Sequence, residues 1–220
     1  VYGILSCALA FPLINGTFDL SIESIAALGG TCCGLLVKDG LYGLKTNLPA
    51  AILISVIICC VVGAVNGLLV AFTSIDPFIV TLGSQVAVRG LVYIVGNNTA
   101  VTGLPDSFKD LSNKPILGVS MSIWIMILVF VLMAIVLGKT SYGRKVYAFG
   151  GNYQAAFISG INVKGVRFST YIISGGLSAI AGILSTARVA SATPNAASGY
   201  ATIAISACAM GGVALTGGKG

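Results

Sequence analysis

Val119-Ser-Met-Ser-Ile-Trp-Ile-Met-Ile-Leu-Val-Phe-Val-Leu-Met-Ala-Ile-Val-Leu-Gly138 carries no charged side chain. At ~1.5 Å of rise per residue, a helix of this length crosses a hydrocarbon layer ~30 Å thick. The apolarity is continuous, whereas a barrel strand would alternate in polarity over segments of roughly ten residues. Leu48–Phe72 is a second such run, and Phe78–Gly96 and Phe168–Val189 are two more, each with one arginine. The whole chain agrees: of 220 residues, 56% are hydrophobic and 8% charged, with a mean hydropathy of +1.00. A soluble domain has about a quarter charged residues, so this chain cannot clothe a water-facing surface. The predicted fold class is an all-α membrane protein, a polytopic helical bundle. No tandem repeat or low-complexity linker divides it, so residues 1–220 read as one domain.

A net charge of +6 would suggest nucleic acid in a soluble protein; in this chain the distribution matters more than the sum. Lys139, Arg144, Lys145, Lys164 and Arg167 fall in one segment with no acid. The 97–118 connection balances Asp106 and Asp110 against Lys109 and Lys114. The excess of basic residues places 139–167 in the cytoplasm and 97–118 outside. Parity puts Lys38–Asn47 outside too, against its own two lysines. The adjacent cysteine pairs, Cys32–Cys33 and Cys59–Cys60, sit within apolar runs and read as small hydrophobes rather than disulfide partners.

Val1–Ile14 and Ile22–Val37 are apolar but too short to span comfortably. Between them, Asn15-Gly-Thr-Phe-Asp-Leu-Ser21 reads as a helix end, a break, and a new helix capped by Asp19 with Glu23 in its first turn. A discontinuous helix is tolerated at membrane depth only where it is enclosed by protein or lines a cavity; a re-entrant segment or an ordinary loop are the alternatives. Asp19 and Glu23 are four apart and form the one candidate acid pair, with a cap and a first-turn acid as the simpler account. Gly63-Ala-Val-Asn-Gly67 is a small-residue packing face, with Asn66 either part of that face or part of a solute path. Asp76-Pro77 starts a helix. Arg89, far along it, either snorkels to the interface or faces the interior. Tyr200–Leu215 is another short run.

The inventory for catalysis is poor. There is no histidine, all six acids precede residue 111, and Gly217-Gly-Lys-Gly220 lacks the spacing of a phosphate-binding loop. ATP hydrolysis, if transport needs it, is expected on a separate subunit. The informative segment is Gly150-Gly-Asn-Tyr-Gln-Ala-Ala-Phe-Ile-Ser-Gly-Ile-Asn-Val163, inside the basic loop. Asn152 is predicted to cap a short helix over Tyr153–Ser159, closed by Gly160. Ala155 and Ala156 keep one surface shallow, and Phe157 and Ile158 offer apolar contacts. The helix has no lysine or arginine of its own, unlike helices that lie on a bilayer, which favours a groove on a protein partner.

Taken in order, several stretches resemble the permease subunits of bacterial ABC importers of the ribose and simple-sugar type. They are Asp19-Leu-Ser21, Val65-Asn-Gly-Leu68, Pro77-Phe-Ile-Val-Thr-Leu-Gly83 with Arg89-Gly90, and Gly143-Arg144. Gly150-Gly-Asn152 with Ala155-Ala156 and Ser159-Gly-Ile161 continues the series, followed by Ala187-Arg188, Pro194, Gly199-Tyr200 and Gly211-Gly212. The resemblance covers essentially the whole chain. It implies that Gly150, Gly151, Asn152, Ala155, Ala156, Ser159, Gly160 and Ile161 form a coupling helix seated in an ATP-binding subunit, which would hold the ATP and magnesium; no cofactor or metal is expected on this chain. It also implies a second permease copy, as homodimer or heterodimer, a periplasmic or lipoprotein solute-binding protein, residence in the bacterial inner membrane, and further chain before Val1 and after Gly220. Two departures stand out. The usual Gly-Ile-Asp-Leu-Ser-Val-Gly is here Thr17-Phe-Asp-Leu-Ser-Ile-Glu23. The usual Gly-Tyr-Glu-Leu-Asp-Ala-Ile-Ala is Gly199-Tyr-Ala-Thr-Ile-Ala-Ile-Ser206, without either carboxylate.

The expected function is therefore the membrane subunit of an ATP-driven importer for a monosaccharide or similar small polar solute. Asn15, Asp19, Ser21, Asn66, Arg89 and Tyr200 are its candidate path residues. Permeases for branched-chain amino acids or nucleosides, and an ion-coupled secondary transporter, are the alternatives; a membrane enzyme is more distant.

Overall fold

The protein is described by a computed structural model covering residues 1–38, 40–41 and 43–220; Asp39 and Tyr42, in the 38–47 connection, lie outside the described residues. In chain order the helices are α1 (Tyr2–Ile14), α2 (Ile22–Lys38), α3 (Leu48–Phe72), α4 (Pro77–Val95), α5 (Asp106–Asn113), α6 (Met121–Lys139), α7 (Ser141–Gly151), α8 (Tyr153–Ile158), α9 (Val163–Val189) and α10 (Tyr200–Met210). Among the described residues, α3, α4, α6 and α9 are long and apolar enough to cross a membrane. The chain is a multi-pass, all-α membrane protein.

Local chemistry sets the boundaries. Asn47 Oδ1 accepts from Ala50 N at 3.2 Å at the start of α3, and Asp76 Oδ1 accepts from Phe78 N at 2.8 Å ahead of Pro77 at the start of α4. These satisfy orphan first-turn donors. The span expected from Val119 starts at Met121 instead, because Val119–Ser120 pairs antiparallel with Pro115–Ile116. The span expected from Phe168 starts five residues earlier, at Val163, because Asn162 Oδ1 accepts from Gly165 N at 3.0 Å. The basic segment is not a loop: α7 occupies its first half, with Thr140 accepting from Gly143 N at 3.2 Å.

α9 is the centre of the bundle, buried along most of its length, with α1, α2 and α3 packed round it. The close approach needs glycine. A Cβ on Gly63 would overlap the Tyr171 carbonyl, one on Gly175 would sit against the Cys59 carbonyl, and one on Gly182 would overlap Ala26 O. Backbone-to-backbone contact replaces side-chain interdigitation at these crossings, the usual device where lipid supplies no hydrophobic drive for helix association. In contrast, α6 is largely exposed along its apolar length, as suits a helix facing acyl chains.

The bundle has two ends. At the acid-containing end, Val101 and Ala192 form an isolated antiparallel bridge (N···O 2.8 and 3.0 Å) that joins the 97–104 segment to the turn after α9. At the basic end, Ile14, Val146, Phe149, Ala156, Val163 and Val166 form one apolar cluster. α1 therefore descends to the basic end and α2 climbs back, with Lys38 lying beside Gly103. The chain thus reverses direction across 15–21 rather than continuing as one broken helix, with Asn15, Thr17, Asp19 and Ser21 buried. α10 is a second short descending helix, packed on α1 through Cys208 Sγ donating to Ser6 O at 3.2 Å.

Gly182→Val, which drives a branched side chain into α2, is expected to cost about 1–3 kcal/mol as overpacking, read as a lower unfolding midpoint in detergent. Gly83→Ala and Gly90→Ala, on α4 where nothing lies within 4 Å of the added carbon, should leave the midpoint unchanged or raise it, since helix propensity favours alanine by up to about 1 kcal/mol.

Candidate functional site

The turn between α1 and α2 is held by side chains from two other helices. Asp19, fully buried, does not cap a helix beginning at residue 19, as the sequence suggested; α2 starts at Ile22. Its Oδ1 accepts from Ser21 N (3.1 Å) and Ser21 Oγ (2.5 Å), and its Oδ2 accepts from Ser174 Oγ on α9 (2.7 Å). Asn66 Nδ2 on α3 donates to Ser21 Oγ at 2.9 Å. Asn15 Nδ2 donates to Thr170 Oγ1 at 3.0 Å, and Tyr171 Oη donates to Phe18 O at 3.0 Å. Four of the expected path residues, Asn15, Asp19, Ser21 and Asn66, are thus brought together. Asn66 sits between the glycines of the packing face and also reaches the turn. It also borders an apolar groove of about 580 Å³ between α3 and α4.

A second cluster forms around Glu23, expected as a plain first-turn acid and found 6% exposed. Gln85 Nε2 on α4 donates to Glu23 Oε1 at 2.5 Å. Gly199 N and Ala201 N, at the start of α10, donate to Glu23 Oε2 at 2.9 and 3.3 Å. A carboxylate at that position meets first-turn donors that have no helical partner, together with the positive end of the helix dipole. Arg89 faces the interior rather than the interface: Nη2 lies 3.7 Å from Glu23 Oε1, and Nη1 donates to Pro194 O and Ala196 O, both at 2.7 Å. Tyr93 Oη donates to Asn195 Oδ1 at 2.7 Å. One carboxylate therefore ties α2, α4 and α10 together, and α4 holds the turn after α9 through Arg89 and Tyr93. Gln85, Arg89 and Tyr93 follow at four-residue spacing on one face of α4, a signal present in the sequence that could have picked out Gln85 and Tyr93.

Tyr200 stands apart from both clusters. Its ring lies 4.6 Å from that of Tyr2. It borders a cavity of about 260 Å³ whose polar wall includes Ser185, Ser191, Thr193, Asn195 and Ser198.

At the basic end, Asn152 Oδ1 accepts from Ala155 N at 3.0 Å and starts α8; Ser159 N bonds Ala155 O at 3.0 Å, and Gly160 has φ +77°. The two alanines face opposite ways. Ala155 is exposed, while Ala156 is 3% exposed and packs with Ile14, Phe149 and Val163. Phe157 and Ile158 point outward, 63% and 83% exposed. Ile161 is half-buried behind them, its N bonded to Ala156 O at 3.1 Å. Gly150 sits directly against Ile14 O, where any Cβ would overlap it, and Gly218 N donates to that same oxygen at 2.8 Å. A side chain on Gly218 would in turn strike Gly151. The α7–α8 corner and the last residue before the turn are in backbone contact. Among the described residues, no three His, Cys, Asp or Glu side chains are placed to hold a metal ion.

Arg89→Met should cost about 3–5 kcal/mol, because a buried carboxylate loses its cationic partner. Pairing it with Glu23→Gln should recover part of that loss, and a double-mutant cycle of detergent unfolding midpoints measures the coupling. Additive costs would mean that the two side chains act separately.

The profile of a family described as "Branched-chain amino acid transport system / permease component" matches residues 1–218. The L-arabinose transport system permease protein AraH of Escherichia coli K12 is 34% identical over 99% of this chain and 65% of its own length. The ribose import permease protein RbsC of Bacillus subtilis 168 is 36% identical over the whole of this chain and 67% of its own length. RbsC of Escherichia coli K12 is 35% identical over the whole of this chain and 68% of its own. The chain thus spans about two thirds of the length of these relatives. No solved structure matches it significantly. With turn, half-helix and basic-end corner all inside a match that runs nearly from end to end, the chain belongs to the family of branched-chain amino acid transport system permease components.

Proposed function

We propose that this chain is part of the membrane-spanning subunit of an ATP-driven sugar importer in the bacterial inner membrane, and that α8 is its coupling helix. The observation that carries this reading is the two-sidedness of α8. Ala156 anchors it to Ile14, at the mouth of the turn, while Phe157 and Ile158 are left exposed at the basic end. Exposed large apolar side chains on a short, capped helix need a protein surface to cover them, and α8 carries no cation to favour a lipid one. The partner is an ATP-binding subunit, which holds ATP and magnesium and performs the hydrolysis. Its movement reaches the turn at 15–21 through the contact of Gly150 and Gly218 with Ile14 O. The whole assembly pairs two permease copies, identical or different, and receives solute from an external binding protein.

A pentose or similar polyol is the cargo favoured here. The similar proteins named for arabinose and ribose support it, and the hydroxyl-lined cavity beside Tyr200 offers donors and acceptors that suit a sugar. Asn15, Asp19, Ser21, Asn66, Arg89 and Tyr200 line or position the path in this reading, with Glu23 and Gln85 added by geometry. Branched-chain amino acids rest on the family description alone.

Ile158→Glu, fully exposed in the isolated chain, should leave the fold intact and abolish co-purification of the ATP-binding subunit from cells that express the complete operon. ATP-dependent uptake of labelled ribose or arabinose should fall at least tenfold. Retention of both with a charge at position 158 would rule out α8 as the coupling helix.

A further inference from the structure

A cavity of about 410 Å³ opens at the basic end, between the close of α3, the start of α9 and the first residue of α8. Its wall includes Thr73, Ser74, Tyr153, Lys164 and Arg167. Neither cation forms an ion pair among the described residues. Lys164 Nζ lies 5.6 Å from the centroid of Phe72, and Arg167 Cζ lies 4.9 Å from that of Phe149. Stacking fixes the two side chains in place while using none of their N–H donors in a conventional hydrogen bond. Arg167 Nε is buried and has no acceptor. A buried guanidinium nitrogen without an acceptor is costly, and Arg167 lines the cavity, where an anion would offer acceptors to its guanidinium. Asp76, the acid nearest in sequence to Thr73 and Ser74, accepts from Phe78 N and, among the described residues, forms no ion pair with either cation.

We propose that this cavity binds the phosphodiester of an anionic phospholipid from the cytoplasmic leaflet. The surroundings select a lipid rather than a soluble anion. Phe72 lines the cavity and is exposed, and Ile75, Phe78 and Ile79 follow it in the chain as exposed apolar residues along the α3–α4 corner, where acyl chains would lie. The hydroxyls of Thr73 and Ser74 mark the level at which that surface turns polar. Lys164 and Arg167 then stand at headgroup height on the side that the positive-inside rule assigns to the cytoplasm. Because Tyr153 shares the wall, a bound lipid would brace the first residue of α8 against α3. The inference stands on the membrane location of the chain and is independent of its cargo.

The test is native mass spectrometry of the full chain in detergent, offered phosphatidylglycerol and phosphatidylcholine in equal amounts, with inorganic phosphate as competitor. Phosphatidylglycerol is expected to be retained in preference, and Lys164→Gln and Arg167→Gln are each expected to lower its retention about fivefold, the usual contribution of one cation near an anionic surface. Arg144→Gln, exposed and outside the cavity, should change nothing. Lys164 is itself exposed, so its variant remains informative should loss of the Arg167 stack destabilise the fold. Equal retention of both lipids, equal loss with Arg144→Gln, or full displacement by inorganic phosphate at the lipid's own concentration would each overturn the proposal. So would variants that lose a co-expressed ATP-binding subunit while phosphatidylglycerol retention stays constant.

Discussion

A chain that reverses direction inside a helical bundle brings backbone donors and acceptors that need partners there, and this molecule is organised around meeting that demand at residues 15–21. Gly16 N and Thr17 N turn back onto Leu13 O and Pro12 O. Ser21 N is taken by Asp19, Phe18 O by Tyr171, and Ile14 O by Gly218. Tyr171, Ser174 and Gly218 are delivered from distant parts of the chain, the first two from α9. Ser174 and Tyr171 reach the turn from α9, whose backbone touches that of α3 at Gly63 and Gly175. The small-residue packing and the polar turn are two parts of one solution.

The same solution makes the turn mechanically accessible. Ile14 closes α1, belongs to the apolar cluster with Ala156 and Phe149, and meets Gly150 through its carbonyl oxygen. Gly150, near the end of α7, and Gly218 meet Ile14 O backbone against backbone, whereas α8 meets Ile14 through the Ala156 side chain. Close-packed interfaces of this kind shift between discrete arrangements rather than deforming continuously. Glycine at 150 and 218 therefore sets how stiffly the basic end is joined to the polar interior.

Much of this was legible in the residues. Continuous apolar runs located α3, α4 and α6, and Asn-Tyr-Gln at 152–154 followed by Gly160 located α8, because capping is local chemistry. The half-length runs on either side of 15–21 announced an interruption. Direction reversal was not legible, since a broken helix and a reversing pair share the same pattern of short runs; only the neighbours of Ile14 and Lys38 separate them. The basic segment read as a loop because α7 carries glycine and charge where a span would be apolar. The division of labour between Ala155 and Ala156 depends on how α8 is rotated against α7 and α9, a tertiary fact.

Glu23 shows what local reading cannot supply. In sequence it is a first-turn acid, adequately explained by its own helix dipole. In space it serves a different helix, receiving N–H groups from Gly199 and Ala201 at the start of α10 while Arg89 and Gln85 approach from α4. The start of α10 has Ala201 and Ile203 and no acid of its own, so the carboxylate there comes from α2. A half-helix N-terminus beside a buried arginine is suited to one negative group, and here α2 supplies it. Carrying the group on α2 has a structural consequence: α10 is fastened to α2 through a side chain only four residues from Asp19, so that the half-helix and α4 meet at one polar junction beside the turn.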